Sequence, residues 1–209
     1  MVSVPLTRAP FRGKVVFMQL RVAMEIASTE AEGPGRRYAI WVQGCPMRCP
    51  GCCNPSYLPF EGGEGVDLEA LSRRVLETPG IEGISLLGGE PTEQAEALAE
   101  LAVRCQARGL TVMVYSGYTM KELRLRENPH VTRLLAHTDL LVDGRYNQNQ
   151  PDSTRRWVGS RNQGMHFLST RYSPEDSRFR EKETVEFRLT KGSTRLTING
   201  WPTKELLEQ

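Results

Sequence analysis

No stretch of the 209-residue chain approaches the roughly 18 consecutive apolar residues that a membrane-crossing helix needs, and the opening MVSVPLTRAPFRGK lacks the apolar core of a secretory leader. The expectation is a cytoplasmic protein without membrane contact. Charge of one sign is missing too: 27 basic residues are interspersed with 25 acidic ones for a net charge of +2, and no basic tract offers itself to nucleic acid. Histidine is scarce, with His130, His137 and His166 scattered along the chain, and no second C-x-x-C pair exists to complete a four-ligand zinc module. Neither a phosphate loop nor a dinucleotide fingerprint occurs; the glycine-rich EGGEG at 61–65 reads as a mobile loop. Internal repeats and long low-complexity segments are likewise missing. With 39% hydrophobic and 25% charged residues, what remains is an ordinary globular composition, in a chain long enough for one sizeable core.

Cysteine is where the composition is uneven. Four of the five, Cys45, Cys49, Cys52 and Cys53, fall within WVQGCPMRCPGCCNP at 41–55. An odd count so tightly bunched does not suit a disulfide framework, which spreads cysteines out to staple distant loops. Reduced thiolates fit better, and converging thiolates repel one another unless a cation neutralises them. The C-x-x-x-C-x-x-C spacing of Cys45, Cys49 and Cys52 supplies three thiolates from one tight loop. On a cubane of four irons, three ligands leave the fourth iron open to a substrate. A thiol-bound zinc and thiols that bind no metal stay open as alternatives on spacing alone. Cys105, on the apolar face of a helical segment, reads as a packing residue.

Four apolar runs bounded by glycine or polar residues, YAIWV at 38–42, GISLL at 83–87, LTVMVY at 110–115 and DLLV at 139–142, predict buried parallel strands. Helical segments lie between them. DLEALSRRVLET opens on Asp67 as an N-cap, and TEQAEALAELAVRCQARG places Ala95, Leu98, Ala102 and Cys105 on one face before stopping at Gly109. Thr119 and Glu122 form a capping box, and a short helix follows Pro129. The alternation predicts an α/β fold with right-handed crossovers, either an open sheet or part of a barrel. Beyond Asp143 come a polar loop, RYNQNQPDSTRRW, a candidate strand MHFLS at 165–169 and a charged connector. TVEFRLT and TRLTING around KGS then predict a C-terminal hairpin.

In parallel α/β folds ligands collect at the carboxyl ends of the strands. Here the first strand runs into the cysteine loop, the second into Gly88, Gly89, Glu90 and Pro91, the third into Ser116, Gly117 and Tyr118, and the fourth into Asp143 and Gly144. A cluster on the three cysteines would face glycines that let backbone approach a ligand, with Glu90 and Asp143 as acceptors.

Together these residues resemble the radical S-adenosylmethionine (SAM) superfamily, whose signature is C-x-x-x-C-x-x-C after the first barrel strand and a GGEP-type turn after the second. More narrowly, EGPGRRYAIWVQGCPMRCPGCCNP, LLGGEPTEQAEAL, VYSGYTMKEL and LLVDGRYNQNQPDSTRRWVGSRNQ resemble the activating proteins of anaerobic ribonucleotide reductase. The resemblance implies a partial (β/α) barrel of the radical SAM type over residues 32–169, with an N-terminal extension at 1–31 and a C-terminal extension at 170–209 that carries the hairpin. It implies a 4Fe-4S cluster ligated by Cys45, Cys49 and Cys52. It further implies S-adenosyl-L-methionine held by Gly88, Gly89 and Glu90, with Ser116 and Asp143 contacting its carboxylate or ribose. Reductive cleavage would give a 5'-deoxyadenosyl radical that takes hydrogen from a glycine of a glycyl radical enzyme, the electron coming from a donor such as flavodoxin or ferredoxin.

Competing readings accompany each of these. Glu90 is also placed to cap the helix that follows it, Asp143 to make a turn with Gly144, and Ser116 to begin one. Cys53 stands where such activases commonly carry histidine or tyrosine, and reads as a bystander. Arg155, Arg156 and Trp157 offer either a partner-facing patch or a solvated arginine face, while His166, inside an apolar run, reads as a buried, satisfied histidine. At the level of function, the alternatives are a radical SAM enzyme acting on a peptide or small metabolite such as a deazapurine precursor, and a zinc or iron–sulfur scaffold without SAM chemistry.

Overall fold

Leu20, Val22 and Ile26 point into the protein while Gln19, Arg21 and Glu25 point away from it or lie half-buried, and this two-residue period makes Gln19–Thr29 the first strand, β1. The computed structural model describes residues 18–181, 184–189 and 196–200. Its main sheet adds β2 (Arg37–Val42), β3 (Glu64–Asp67), β4 (Gly83–Gly88), β5 (Thr111–Ser116), β6 (Leu140–Asp143) and β7 (Gly164–Phe167), in the order β3-β1-β2-β4-β5-β6-β7. Strands β2, β4, β5 and β6 are mutually parallel and match the four apolar runs; β1, β3 and β7 pair antiparallel on either side. The result is a mixed α/β sheet whose edges, β3 and β7, do not pair with one another.

Four helices cover one face: α1 (Leu68–Glu77), α2 (Ala95–Gln106), α3 (Met120–Leu125) and α4 (Pro129–Ala136). Three of them, α1, α3 and α4, start where the sequence provides a side-chain acceptor for orphan backbone donors. Asp67 caps Ala70 N, Thr119 and Glu122 close their capping box, and Asn128 caps His130 N and Val131 N. Glu90 caps Thr92 N in a short 3-10 turn, Pro91–Gln94, that precedes α2. Ile40, Ile84, Leu86, Val112, Val114 and Leu141 meet Leu71, Leu98, Leu101 and Leu134 of the helices, each fully buried. At about 1.5–3 kcal/mol per buried aliphatic side chain, this layer is the main source of stability. Cys105 sits within it, as expected. None of the described helices is long and apolar enough to cross a membrane.

The opposite face presents Ala39, Trp41, Leu87, Met113 and Val142 and carries no α-helix among the described residues. Trp157, Val158 and Tyr172 cover part of it. Strands β8 (Val185–Leu189) and β9 (Leu196–Gly200) pair antiparallel as a separate ribbon in the expected hairpin, whose KGS turn lies outside the described residues.

Several expectations need correction. Residues 19–29, within the segment expected to be an N-terminal extension, form β1, which joins the main sheet between β3 and β2. The EGGEG loop is tethered: Glu64 and Gly65 pair with Val22 and Arg21 of β1, and Arg21 Nη1 donates to Gly62 O at 2.8 Å. The Arg156 side chain and Trp157 are buried rather than part of a solvated face, while the Arg155 side chain is 39% exposed. The Arg156 side chain is 8% exposed, donates to Arg178 O and Thr184 Oγ1, and stacks 4.4 Å from the Trp157 ring centroid. Its neighbour Arg155 binds Asp152 and the Gln163 carbonyl.

Candidate functional site

The cysteine loop leaves β2 at Val42 and is pinned on its return leg. Gly44 N donates to Tyr57 O at 2.8 Å, Cys45 N to Leu58 O at 2.9 Å, and the Gln43 side chain to Pro59 O at 2.7 Å. Between these points Arg48 and Gly51 take positive φ angles of 48° and 73°, and Cys52 N bonds Cys49 O, so the thiol-bearing residues wind into one tight turn.

The Gly88-Gly89-Glu90 turn at the end of β4 is locked to this loop. Gly89 N donates to Val42 O at 2.7 Å and Glu90 N to Gly44 O at 2.8 Å. Gly88 has φ +108°, and a Cβ on Gly89 would overlap the Gly44 carbonyl, so no side chain fits at that position without parting the two turns. The two glycines thereby hold Glu90 beside the cysteines, where burial first and the nearby Glu90 second push the Cys45 thiol up.

Glu90 is 1% exposed. Its Oε1 accepts from Thr92 N at 3.0 Å, Thr92 Oγ1 at 2.6 Å and Ser116 Oγ at 2.9 Å, and Oε2 accepts from Gly117 N at 2.8 Å. Burial pushes the carboxyl above its ordinary value while these donors hold it down. Oε2 keeps acceptor capacity, so capping the turn and facing a ligand are compatible roles for one carboxylate.

Cys45, Cys49, Cys52, Gly88, Gly89, Glu90 and Ser116 all line one cavity of about 520 Å³. It runs down the helix-free face of the sheet, walled by Trp41, Leu87, Tyr115 and Trp157, to Glu32 and the hairpin residues Ile198, Asn199 and Gly200. Asp143 is not on this wall. Its carboxylate accepts from Met120 N at 2.5 Å and Gly164 N at 3.1 Å and lies 3.0 Å from His166 Nε2, facing a shallow groove behind the site. His166 is therefore half-buried rather than a core residue. Glu32, Trp157 and Asn199 also line the cavity. Nothing in the local sequence marks them, because long-range folding alone carries them there.

The thiols fit an iron–sulfur cluster. None is paired in a disulfide, and burial raises Cys45 and Cys49, which would be relieved by a cation. Cys52 is held down to about 6 by a hydrogen bond with Cys53, whose own thiol is pushed up by the same contact. Among the described residues no three His, Cys, Asp or Glu side chains converge on a point suited to a single ion. A cubane takes each thiolate on a different iron and so asks for a wider triangle than zinc does. Among the described residues lining the cavity the only charged side chains besides thiols are Glu32 and Glu90, with no lysine or arginine, so the space favours a cationic ligand.

Residues 31–166 match the family described as "4Fe-4S single cluster domain". Among curated proteins, the chain is 32% identical over 142 residues to the anaerobic ribonucleoside-triphosphate reductase-activating protein of Vibrio cholerae, covering 64% of this chain and 89% of that protein. The Escherichia coli K12 protein of the same name is 30% identical over 145 residues, 65% of this chain and 91% of its own length. That of bacteriophage T4 is 28% identical over 139 residues, 64% of this chain and 85% of its own.

Proposed function

This chain belongs to the 4Fe-4S single cluster domain family, and from that premise we propose that it is a radical SAM activase for a glycyl radical enzyme of the anaerobic ribonucleotide reductase type. The observation that carries the reading is the gathering of Cys45, Cys49, Cys52 and Glu90 on one acidic cavity with no basic side chain among its described lining residues.

Cys45, Cys49 and Cys52 would ligate a 4Fe-4S cluster. When bound and reduced, that group supplies the electron that splits the SAM sulfonium into methionine and a 5'-deoxyadenosyl radical. The protein's share is binding, orientation and dryness. Glu90 Oε2 is placed to accept from the methionine ammonium, Gly88 and Gly89 bring it to the cysteine loop, and Ser116 steadies it. Glu32 and Glu90 offset the sulfonium charge. Trp41, Tyr115 and Trp157 keep water from the reacting atoms. Asp143 enters this account as the residue that fixes the start of α3 next to the β5 turn, rather than as a direct contact. The helix-free face would be the inner face of a partial (β/α) barrel of the radical SAM type, a reading supported by four parallel strands with helices on one side. A cytoplasmic location and an electron donor such as flavodoxin or ferredoxin complete the proposal.

Anaerobic reconstitution with iron and sulfide, then reduction in the presence of SAM, tests it by the yield of 5'-deoxyadenosine. Wild type and Cys53→Ala should form the product, and Cys49→Ala should not. A fully loaded cluster that yields none would sink the reading.

A further inference from the structure

The hairpin β8–β9 lies outside residues 31–166, the stretch that matches the family, and it is seated on the domain the wrong way round. A ribbon laid on a globular core ordinarily turns its apolar side inward and its polar side to water. Here the polar side is the one that grips. Glu30 N donates to Glu186 Oε1 at 2.7 Å, Asn199 Nδ2 donates to Thr29 Oγ1 at 2.8 Å, and Arg188 donates to the Ser28 carbonyl, all at the end of β1.

The other side is apolar and open. Cross-strand register pairs Phe187 with Ile198 and Leu189 with Leu196, which places these four side chains on one face of the ribbon. Phe187 is 52% exposed, Leu189 78% and Leu196 51%. Among the described residues six large hydrophobic side chains are exposed, and this short ribbon carries three of them; Phe60, Leu125 and Leu168 come from three separate segments. A contiguous patch held outward by specific polar contacts is the mark of an interaction surface rather than of chance exposure.

The patch is continuous with the cavity. Ile198, half-buried, borders the space that Cys45, Cys49, Cys52 and Glu90 line, and its cross-strand neighbour Phe187 reaches solvent. A cavity of about 520 Å³ that must hold a cluster and a cofactor leaves room for only a short piece of a protein substrate. The flanking polypeptide has to be held outside, next to the opening.

We propose that the apolar face formed by Phe187, Leu189, Leu196 and Ile198 is the docking surface for the protein substrate, receiving the apolar residues that flank its target glycine. The occupant is an extended, apolar-rich segment of the glycyl radical enzyme, and the ribbon sets which protein is activated while leaving cofactor chemistry alone. This inference rests on the activase reading.

The test uses the full chain with its reconstituted cluster and the intact anaerobic reductase as probe, comparing wild type with Phe187→Thr, Leu189→Thr, Leu196→Thr and the triple variant. Threonine keeps strand propensity and removes apolar surface. Each single variant should bind the reductase about fivefold more weakly and the triple variant at least about fiftyfold, with radical transfer falling in step. SAM Kd and the 5'-deoxyadenosine formed without reductase should stay at wild-type values. Amide hydrogen exchange at Glu30 and Gly200, whose N–H groups bond Glu186 and Glu32, shows whether the ribbon stays seated. If the triple variant unseats it, Leu189→Thr, at the most exposed position, carries the comparison. Unchanged reductase binding in the variants overturns the inference; if wild type also self-associates and the variants do not, the face belongs to a second copy of the chain. A parallel loss of SAM binding overturns it too, since the ribbon would then shape the cavity instead. Wild type that cleaves SAM but neither binds the reductase nor puts a radical on it brings down the activase reading, and the docking surface with it.

Discussion

Ser116 Oγ donates to Glu90 Oε1 over 2.9 Å, tying the end of β5 to the end of β4 at the wall of the cavity. The same hydroxyl accepts from Tyr118 N at 3.1 Å, so it orders the β5 turn as well. Ser116→Ala removes one of the four donors that offset the burial of the Glu90 carboxyl. The expected result is a loss of about 1 kcal/mol in urea unfolding of the apoprotein and a SAM affinity weaker by about five- to tenfold in equilibrium binding. Equal SAM affinity in the variant would detach Glu90 from ligand binding.

Gly89→Ala probes the contact between the GGEP turn and the cysteine loop. A Cβ there meets the Gly44 carbonyl, so the two turns must part. We expect about 1–3 kcal/mol of destabilisation and a marked drop in iron bound per chain after reconstitution, measured by metal analysis. Full iron content would show that the loop does not depend on this turn.

Arg37 is the largest fully buried side chain, and its guanidinium binds Ser85 Oγ, Ile84 O, Pro34 O, Thr111 Oγ1 and the Tyr172 hydroxyl. Tyr172 passes the network on to Glu82 at 2.7 Å, which ties the segment after β7 to the start of β4. Replacing Arg37 by Met strands several buried acceptors at once. A loss of at least about 3 kcal/mol in denaturant unfolding is expected, against about 1 for Tyr172→Phe. Two equally mild variants would contradict the network.

Glu100 joins α2 to α4 through Arg133 at 2.8 Å and to its own helix through Arg104 at 3.1 Å, and these bonds hold its carboxyl below the usual range. A depressed native value contributes stability above the unfolded-state value and loses it as pH falls through the native one. Glu100→Gln should therefore cost about 0.5–1 kcal/mol at neutral pH, with the difference from wild type shrinking below about pH 4.5. Paired thermal melts across that range check it; a pH-independent gap would point to packing instead.

Local signals made much of the fold legible. The four parallel strands are continuous apolar runs because both of their faces are buried, and Asp67, Thr119 with Glu122, and Pro129 mark helix starts that depend only on neighbouring residues. Cys45, Cys49, Cys52, Gly88, Gly89, Glu90 and Ser116 reach one cavity because each ends or follows a strand of that sheet. What escaped depends on distant partners. The alternation in QLRVAMEIAST carries a strand signal of its own, whereas β3 exists only because β1 pairs with it. Asp143 looked identical in kind to Glu90, yet the β7 strand and the start of α3 claim its oxygens. Arg156 reads as a surface charge until Thr184 and the Arg178 carbonyl close over it.

The most direct test of the central claim is electron paramagnetic resonance of the partner anaerobic reductase after incubation with the reconstituted, reduced protein and SAM. The account predicts a glycyl radical signal that appears with wild type and is absent with Cys49→Ala. Ample 5'-deoxyadenosine with no radical on the reductase would contradict the activase assignment and point to a different hydrogen donor.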